Sequence, residues 1–318
     1  MKIGILGAGN IAATLAETMR RMPEVECYAV ASRTLQKAET FAKEHGFQKA
    51  FGSYEEMAAD TEVELVYIAT PHSHHFEHMK LCLNYNKPVL CEKAFTWHAS
   101  EAKEIFELAE AKKILVTEAI WTRYMPSRRI INELLEGGII GKVTTLTANL
   151  GYSLGGIERI WRPDLAGGAL LDVGVYTINF AQMHMQKEIQ SMKASVILGE
   201  SGVDAQDFVD YIYTDHTIAH LNASAVGASD RHGTFYGTEG YMIVDNINNP
   251  LNIDVYNTKN QLVQHLDMPE QISGYEYEIY ETMDAIQTGK LECDSMPHAE
   301  TIRVMELMDA VREQWVVL

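Results

Sequence analysis

Short apolar runs alternate with longer amphipathic stretches over the first 120 residues of the chain. The runs predict strands, and the stretches, with apolar positions three or four residues apart, predict helices. The predicted strands are Lys2–Leu6, Glu26–Ala31, Leu65–Thr70, Val89–Glu92 and Ile114–Glu118. The helices predicted around them are Asn10–Arg21, Leu35–His45, Ser73–Tyr85 and Ala99–Lys112. Such alternation predicts right-handed βαβ units and a doubly wound parallel sheet.

The pattern changes after Trp121. A helix is predicted over Pro126–Glu136, a strand over Val143–Gly151 and a long apolar helix over Gly167–Met185. Seven strands without intervening helices follow, namely Ser191–Leu198, Asp207–Tyr213, Thr217–Ala225, Arg231–Tyr236, Tyr241–Val244, Leu251–Tyr256 and Leu262–Leu266. The last predicted helices are Gly274–Thr288 and His298–Gln314. Strands joined without helices form antiparallel or mixed sheets, so we expect a large open, mostly antiparallel sheet.

Composition narrows the function classes. The formal net charge is −18, from 26 basic and 44 acidic residues, and such a surface repels nucleic acid and anionic membranes. The sequence contains no run of 18 apolar residues that would predict a membrane span. Its four cysteines show no CxxC spacing, which is typical of a reducing compartment. We therefore expect a cytoplasmic protein with neither nucleic acid nor a membrane as partner.

A glycine loop follows the first predicted strand. Gly7, Gly9 and Ala12 form Gly-x-Gly-x-x-Ala and lead directly into the first helix. Gly7 permits the tight turn, Gly9 lets the backbone approach a pyrophosphate, and Ala12 lets the helix pack close to the strand. Backbone N–H groups at the helix start, around Asn10 and Ile11, then face the negative charge. In its βαβ context, the loop predicts a dinucleotide-binding Rossmann domain.

The fold class is thus an α/β part followed by an α+β part. We expect residues 1–121 to form an NAD(P)-binding Rossmann domain. Residues 122–318 are expected to form an α/β domain for substrate binding and oligomerisation, built on the open antiparallel sheet. The C-terminal helices could pack back on the first domain.

The end of the second predicted strand indicates which dinucleotide binds. NAD-binding folds usually place Asp or Glu there to bind the ribose 2′-hydroxyl. This chain has Ser32 and Arg33 instead, with Lys37 one helical turn further on. A hydroxyl and two cations suit a 2′-phosphate. We therefore expect NADP rather than NAD, although Arg33 could also be an ordinary solvated loop residue.

Two sets of residues could carry proton transfer. Lys93 follows the strand Val89–Glu92, and ligands of doubly wound sheets bind beyond the carboxyl ends of the strands. Such a lysine could accept an alcohol proton while hydride leaves the carbon, or it could simply lie on the surface. Asp172 and Tyr176 are four residues apart, so they share one face of a helix and need polar partners when buried. Asp172 could alternatively only form a salt bridge.

These motifs resemble the glucose-fructose oxidoreductase, inositol dehydrogenase and rhizopine-catabolism (Gfo/Idh/MocA) family over essentially the whole length. The motifs shared in the family's order are Gly7–Ala12, Thr70–His75, Glu92-Lys93-Ala94, Trp161-Arg162 and Gly167–Tyr176. Within the family, Glu118–Arg123 and Gly168–Asp172 are most similar to the dimeric dihydrodiol dehydrogenases.

The resemblance implies an NADP-preferring enzyme with Lys93 as acid/base and an antiparallel sheet that mediates a homodimer or higher homo-oligomer. Tyr176 is then a proton donor or relay, since a phenol is a weaker base than imidazole at neutral pH. The further cofactor-binding residues it implies are Thr70, Pro71, His72, His75, Glu92, Lys93 itself, Arg123, Trp161 and Arg162. The chain departs from the family at Ala94, where proline is usual, at Tyr176, where many members have histidine, and at His72, where asparagine is common.

The histidines His72, His74, His75 and His78 could suggest a metal site, but no acidic third ligand has suitable spacing, so we expect none. The sequence leaves two main functions open. The first is an NADP(H)-dependent oxidoreductase acting on a CH–OH or C=O group of a sugar, cyclic polyol, dihydrodiol or dicarbonyl. The second is a non-catalytic NADP-binding redox sensor of the same fold. Proton-transfer residues favour the enzyme, and a methyltransferase is disfavoured by the missing acid after the second strand.

Overall fold

The computed structural model describes residues 1–317, with side chains for residues 1–315. The chain divides into two compact units. The first comprises Met1–Trp121 and Gln271–Met305, and the second comprises Thr122–Glu270 together with the chain from Glu306 onward. Gln271–Met305 thus packs with the first unit, although the predicted bounds count it in the second. The bounds 1–121 and 122–318 themselves stay a prediction.

The first unit contains a six-stranded sheet in which every strand pair is parallel. Its strands are β1 (Lys2–Leu6), β2 (Glu26–Ala31), β3 (Lys49–Phe51), β4 (Leu65–Ile68), β5 (Val89–Glu92) and β6 (Val116–Ala119). Its first five helices are α1 (Asn10–Met19), α2 (Leu35–His45), α3 (Tyr54–Ala59), α4 (His72–Asn84) and α5 (Ala99–Lys112). The strand order β3-β2-β1-β4-β5-β6 is that of the predicted doubly wound Rossmann sheet, which is confirmed.

The second unit is built around a nine-stranded sheet with the order β14-β13-β12-β11-β7-β10-β9-β8-β15 within residues 1–317. Its helices and strands are α6 (Pro126–Glu136), β7 (Val143–Gly151), α7 (Val175–Met185), β8 (Ile189–Leu198), β9 (Asp204–Tyr213), β10 (Ile218–Ser224), β11 (Gly233–Gly237), β12 (Gly240–Val244), β13 (Asn252–Asn257), β14 (Leu262–Asp267) and β15 (Val316–Val317). Its parallel pairs are β7 with β10 and β8 with β15, and the other pairs are antiparallel. The predicted mostly antiparallel sheet is confirmed.

Two helices follow β14, namely α8 (Glu276–Thr288) and α9 (His298–Glu313). Ile279 and Met283 of α8 join the apolar cluster that also contains Ile5 of β1, Tyr67 of β4 and Leu90 of β5. Burial of these side chains holds α8 against the parallel sheet. Each large apolar side chain removed from water contributes about 1.5–3 kcal/mol to the free energy of folding. Among the described residues, no helix has both the length and the apolar character needed to cross a membrane.

The predicted helix Gly167–Met185 needs correction. The segment Leu170–Gly174 is a π-helix, and regular α-helix begins only at Val175. The apolar pattern does not distinguish a π-helix from an α-helix here. Every residue of the segment is buried, so no exposed polar face reveals the helical period. The sequence also missed β3 and α3, which have three and six residues and are too short to show a clear period.

Candidate active site

The glycine loop lies between β1 and α1, at the carboxyl edge of the parallel sheet. Gly7 has φ +107°, and a Cβ on it would lie 2.7 Å from the carbonyl oxygen of Ala69. Only glycine tolerates this conformation and this close approach to the chain after β4. Gly9 differs, because a Cβ there would meet no protein atom within 4 Å. Gly7 therefore builds the turn, and Gly9 keeps open space in front of α1.

The start of α1 is left open by the protein. Gly9 is the N-cap residue, no side chain caps the helix, and no acidic residue lies in its first turn. The first N–H groups of a helix lack intrahelical partners and attract anions. The space beside Gly9 and these N–H groups, around Asn10 and Ile11, therefore fit a diphosphate.

The end of β2 presents a polar residue and two cations. Ser32 is buried, and its backbone N–H donates to the carbonyl oxygen of Phe51 at 3.2 Å. Arg33 and Lys37 are exposed, and within the part of the chain that is described neither makes a hydrogen bond or an ion pair. Unpaired cations can bind a phosphate without first breaking an internal contact.

A cavity of about 340 Å³ opens beside these cations. Its lining comes from the glycine loop and from α2 with the residues just before it, and includes Ala8, Thr34, Lys37 and Phe41. This volume lies in the range of small-molecule sites. The cavity and the open start of α1 belong to the same unit and both adjoin the glycine loop.

The segment after β4 is tied to the segment after β5 by His75. Its two ring nitrogens lie 2.8 Å from the carbonyl oxygen of Thr70 and 2.9 Å from that of Ala94. Burial lowers the pKa of His75 to about 4. The ring is therefore neutral near pH 7 and donates to one carbonyl at a time. His75 thus contacts backbone on both sides, and its predicted cofactor contact stays a prediction.

The other residues of this segment lie at the start of α4. Pro71 is its N-cap residue and His72 its buried first residue. The Thr70 hydroxyl lies 2.9 Å from Nδ1 of His78, whose pKa burial lowers to about 4. Within residues 1–317, no group of three or more His, Cys, Asp or Glu side chains is placed to hold a metal ion.

Lys93 follows β5 directly and is partly exposed. In the sheet, β4 alone separates β5 from β1, so their carboxyl ends lie about 10 Å apart at strand spacings of about 4.8 Å. The peptide bond between Lys93 and Ala94 is cis, at the position where the sequence lacks the proline usual in the family. The lysine is therefore at the same sheet edge as the glycine loop.

Glu92 is buried directly before Lys93. Its Oε1 accepts a hydrogen bond from the Tyr67 hydroxyl, and its Oε2 accepts one at 3.1 Å from the backbone N–H of Lys93. The backbone N–H of Phe95 donates at 3.2 Å to Glu118, a buried residue of β6. Buried carboxylates therefore hold the backbone on both sides of the cis bond. Glu92 was predicted as a cofactor contact, and that role stays a prediction.

Sequence reasoning gave no role in the site to Tyr67, Glu118 or Glu278, which lie near this strand end. Glu278 is a fully buried residue of α8. Burial, and next the charge of Glu92, raise its pKa well above the ordinary value of 4.5. A glutamate at a core-facing helix position, next to Ile279, is the signal that could have identified it.

The second unit carries Asp172 and Tyr176. Both are buried, Asp172 within the π-helix and Tyr176 in the first turn of α7. An oxygen of Asp172 accepts a hydrogen bond at 2.9 Å from the guanidinium of Arg159, whose side chain is 43% exposed. The salt bridge considered for Asp172 is therefore present, and the partner is an arginine that the sequence did not single out.

The π-helix is capped by a second buried acid. The backbone N–H of Leu170 donates at 2.5 Å to Asp204 of β9, and Gly168 has φ +112° with no room for a Cβ beside that carboxyl group. Burial raises the pKa of Asp204, and burial together with the nearby Asp204 charge raises that of Asp207. Asp204 thus fixes the start of the segment that bears Asp172.

Three predicted cofactor contacts in the second unit have partners of their own. Arg123 is buried and donates to Asn179 at 2.6 Å. The indole N–H of Trp161 donates to the carbonyl oxygen of Leu154 at 3.2 Å. Arg162 makes two hydrogen bonds to Asp164, at 2.6 and 2.7 Å, and one to Glu158 at 3.1 Å. Their contacts with a cofactor stay predictions.

The fold and the open glycine loop define a nucleotide-binding oxidoreductase with a Rossmann unit. Residues 1–119 match the model described as the oxidoreductase family with an NAD-binding Rossmann fold, and residues 129–243 match the Gfo/Idh/MocA C-terminal domain. The chain belongs to the Gfo/Idh/MocA family, and the resemblance noted in its motifs is confirmed. It is an NAD(P)-dependent oxidoreductase, so the predicted enzyme class is confirmed as well.

Two of the relatives match the chain over nearly its full length. A trans-1,2-dihydrobenzene-1,2-diol dehydrogenase of Danio rerio is 31% identical over 99% of this chain and 96% of its own. A D-xylose 1-dehydrogenase (NADP(+)) of Hypocrea jecorina is 33% identical, over 99% and 92%. A solved 3-ketoreductase from Actinomadura kijaniata, in complex with NADP, superposes with TM-score 0.93 at 21% identity, over 100% and 98%. This last likeness concerns the fold alone.

Proposed function

We propose that the protein is an NADP(H)-dependent dehydrogenase or reductase that uses Lys93 as its acid/base. Hydride would pass between the nicotinamide and a CH–OH or C=O group of a sugar, cyclic polyol, dihydrodiol or dicarbonyl. The observation that carries the proposal is the shared sheet edge, where the open start of α1 and Lys93 lie two strands apart. The dihydrodiol and xylose dehydrogenases among the relatives support the substrate class.

The choice of NADP rests on the end of β2. Arg33 and Lys37 are exposed and, among the described residues, unpaired, while Ser32 stands where an acid would select NAD. These residues would hold the 2′-phosphate, and the N–H groups around Asn10 and Ile11 would hold the diphosphate. When bound, the nicotinamide ring accepts or supplies the hydride.

Lys93 would move the proton that accompanies hydride. In oxidation its amine accepts the hydroxyl proton, and in reduction its ammonium group returns a proton to the carbonyl oxygen. Glu92 keeps the lysine backbone in place through the N–H hydrogen bond. Asp172 and Tyr176 are further candidates, with Tyr176 as a proton donor or relay.

The assembly and the location form part of the same proposal. The open sheet exposes Phe208 and Ile212 of β9 and Tyr236 of β11, which suits a homodimer or higher homo-oligomer formed through this face. All four cysteines are buried and free, which suits the reducing cytoplasm.

Steady-state kinetics of Lys93 variants test the proposal on a panel of polyols, dihydrodiols and dicarbonyls. Lys93→Ala should lower kcat by about 10²- to 10⁴-fold, the usual contribution of a general acid/base. Lys93→Arg should be as inactive, because an arginine keeps its charge and does not release its proton near neutral pH. NADPH affinity should change little in either variant, and Lys112→Ala should behave as wild type.

Full turnover by Lys93→Ala would exclude Lys93 from the mechanism. Activity retained by Lys93→Arg alone would show that the site needs a charge and no proton transfer. Tight NADPH binding by the wild type without turnover on any substrate of the panel would favour the sensor.

A further inference from the structure

Glu278 is a buried acid that the proposed chemistry does not use. Its side chain is fully buried on α8, and among the described residues neither carboxyl oxygen has a hydrogen-bond partner. Helix α8 packs on the parallel sheet through Ile279 and Met283, which follow the buried glutamate in sequence. A buried carboxyl group without partners is costly for the fold, so its presence calls for a function.

The neighbours of Glu278 are residues that hold Lys93. An ionised Glu278 would raise the pKa of Tyr67, and the charge of Glu92 raises the pKa of Glu278, so the three groups lie within electrostatic reach of one another. Tyr67 donates to Glu92, and Glu92 accepts the backbone N–H of Lys93. An electrostatic interaction from α8 and two hydrogen bonds therefore connect Glu278 to the residue proposed as acid/base.

When one of two neighbouring buried carboxyl groups is charged, its charge raises the pKa of the other and favours the protonated form there. Glu92 accepts two hydrogen bonds, which stabilise its charged form, whereas Glu278 accepts none among the described residues. The arrangement therefore assigns the negative charge to Glu92 and leaves the proton on Glu278.

We propose that Glu278 is a positioning residue for Lys93. The side chain of Glu278 keeps its proton, so that Glu92 can remain the charged carboxylate that accepts the backbone N–H of Lys93. The inference rests on the role proposed for Lys93. Ionisation of Glu278 at alkaline pH would place a second negative charge beside Glu92. The repulsion would displace Glu92 and, through its hydrogen bond, the backbone of Lys93.

Several titratable groups lie near the two carboxyl groups of Glu92 and Glu278. They are Tyr67 of β4, Cys91 of β5, Glu118 of β6, Tyr275 before α8 and Cys293 beside Thr282. Burial raises the pKa of Tyr67 and of Cys91 well above their ordinary values, so both stay neutral as the pH rises through the neutral range. Glu118 accepts a hydrogen bond from the backbone N–H of Phe95.

The test compares Glu278→Gln with Asp284→Asn, which removes an exposed carboxylate from the same helix. At neutral pH Glu278→Gln should keep kcat and NADPH affinity, because glutamine resembles the protonated acid. The alkaline fall of kcat/KM should move to higher pH by about one unit, the size of shift that one neighbouring carboxylate causes. Asp284→Asn should follow the wild-type profile.

Infrared spectroscopy gives a second readout that needs no turnover. The difference spectrum between the wild type and Glu278→Gln near neutral pH should show the loss of one carbonyl band of a protonated carboxylic acid, beyond any band that the buried Asp204 and Asp207 contribute to both proteins. Glu278→Met introduces an apolar side chain of similar length and serves as the second variant if the Glu278→Gln protein does not fold. It should shift the pH profile of kcat/KM in the same direction.

Identical pH profiles for Glu278→Gln and the wild type would overturn the inference, as would identical protonated-acid bands in the two proteins. So would a low kcat at every pH in a Glu278→Gln protein of normal stability, because the charged form would then be required. Failure of the proposed function is recognised separately, since Lys93→Ala would then retain turnover whatever the infrared band shows.

Discussion

The starts of two helical segments, one in each unit, are treated in opposite ways. At α1 no side chain caps the helix, and the position of a Cβ on Gly9 is empty space. At the π-helix the N–H of Leu170 is bonded to the buried Asp204, and the same carboxyl group excludes a Cβ on Gly168. One helix start is open to a ligand, and the other is closed by the protein itself.

The difference separates binding from structure. Glycine occurs at both places, so its presence alone does not identify a site. The open start is accompanied by unpaired cations, Arg33 and Lys37, whereas the second unit's Arg162 is already paired with Asp164. Unsatisfied N–H groups together with available cations mark the anion site.

Closing the open start should have the largest effect. Gly9→Ala should weaken NADPH binding by on the order of 100-fold, the loss of two backbone hydrogen bonds to a charged group at about 1.5 kcal/mol each. The melting temperature should stay near wild type, because the new methyl group meets no protein atom. Gly7→Ala should lose both NADPH binding and stability, since its Cβ would clash with the carbonyl of Ala69. Calorimetric titration and thermal melts measure both, and unchanged NADPH affinity in Gly9→Ala would contradict the account.

Removing an available cation should have the next largest effect. Arg33→Ala should weaken NADPH binding by roughly 10- to 100-fold, the value of a charge-assisted hydrogen bond, and leave NADH binding almost unchanged. Arg20→Ala, which removes an exposed arginine that contacts Glu17 at 3.3 Å, is the matched control and should change neither affinity. Equal losses of affinity for NADPH and NADH in Arg33→Ala would contradict the assignment of NADP as the cofactor.

Opening the closed start should affect stability alone. Asp204→Ala should lower the free energy of unfolding by about 1–3 kcal/mol, because the buried Leu170 N–H loses its acceptor. NADPH affinity should stay within about twofold of the wild-type value. A loss of 1.4 kcal/mol in binding free energy would weaken it about tenfold. Asp210→Ala, at an exposed position of the same strand, should cost less than about 0.5 kcal/mol. Denaturant unfolding measures these changes, and a large loss of NADPH affinity in Asp204→Ala would show that the second helix start also serves binding.

The sequence was sufficient to predict the parallel sheet and most of its helices. The period of the apolar residues, the glycine spacing and the residues after each strand are local features of the chain. Because the prediction rests on them, α2, β5 and α5 have the predicted bounds. The three-residue β3 was missed because an edge strand so short has no period. The π-helix was missed because its apolar composition equals that of a buried α-helix.

The candidate site was predictable only in the parts formed by residues that are close together in sequence. Gly7, Gly9 and Lys93 follow directly from motifs at strand ends. The contacts of Glu92 with Tyr67, of Asp172 with Arg159 and of Leu170 with Asp204 join residues 13 to 34 positions apart. A single sequence does not reveal which distant polar residues meet, because many pairings satisfy the same composition. Glu278 belongs to this class.

A crystal structure of the protein with NADPH tests the central claim most directly, through the distances from the diphosphate oxygens to the backbone nitrogens around Asn10 and Ile11. We expect at least one hydrogen bond of about 2.7–3.2 Å there, with the 2′-phosphate beside Arg33. A diphosphate bound elsewhere, with the start of α1 in contact with water only, would contradict the account.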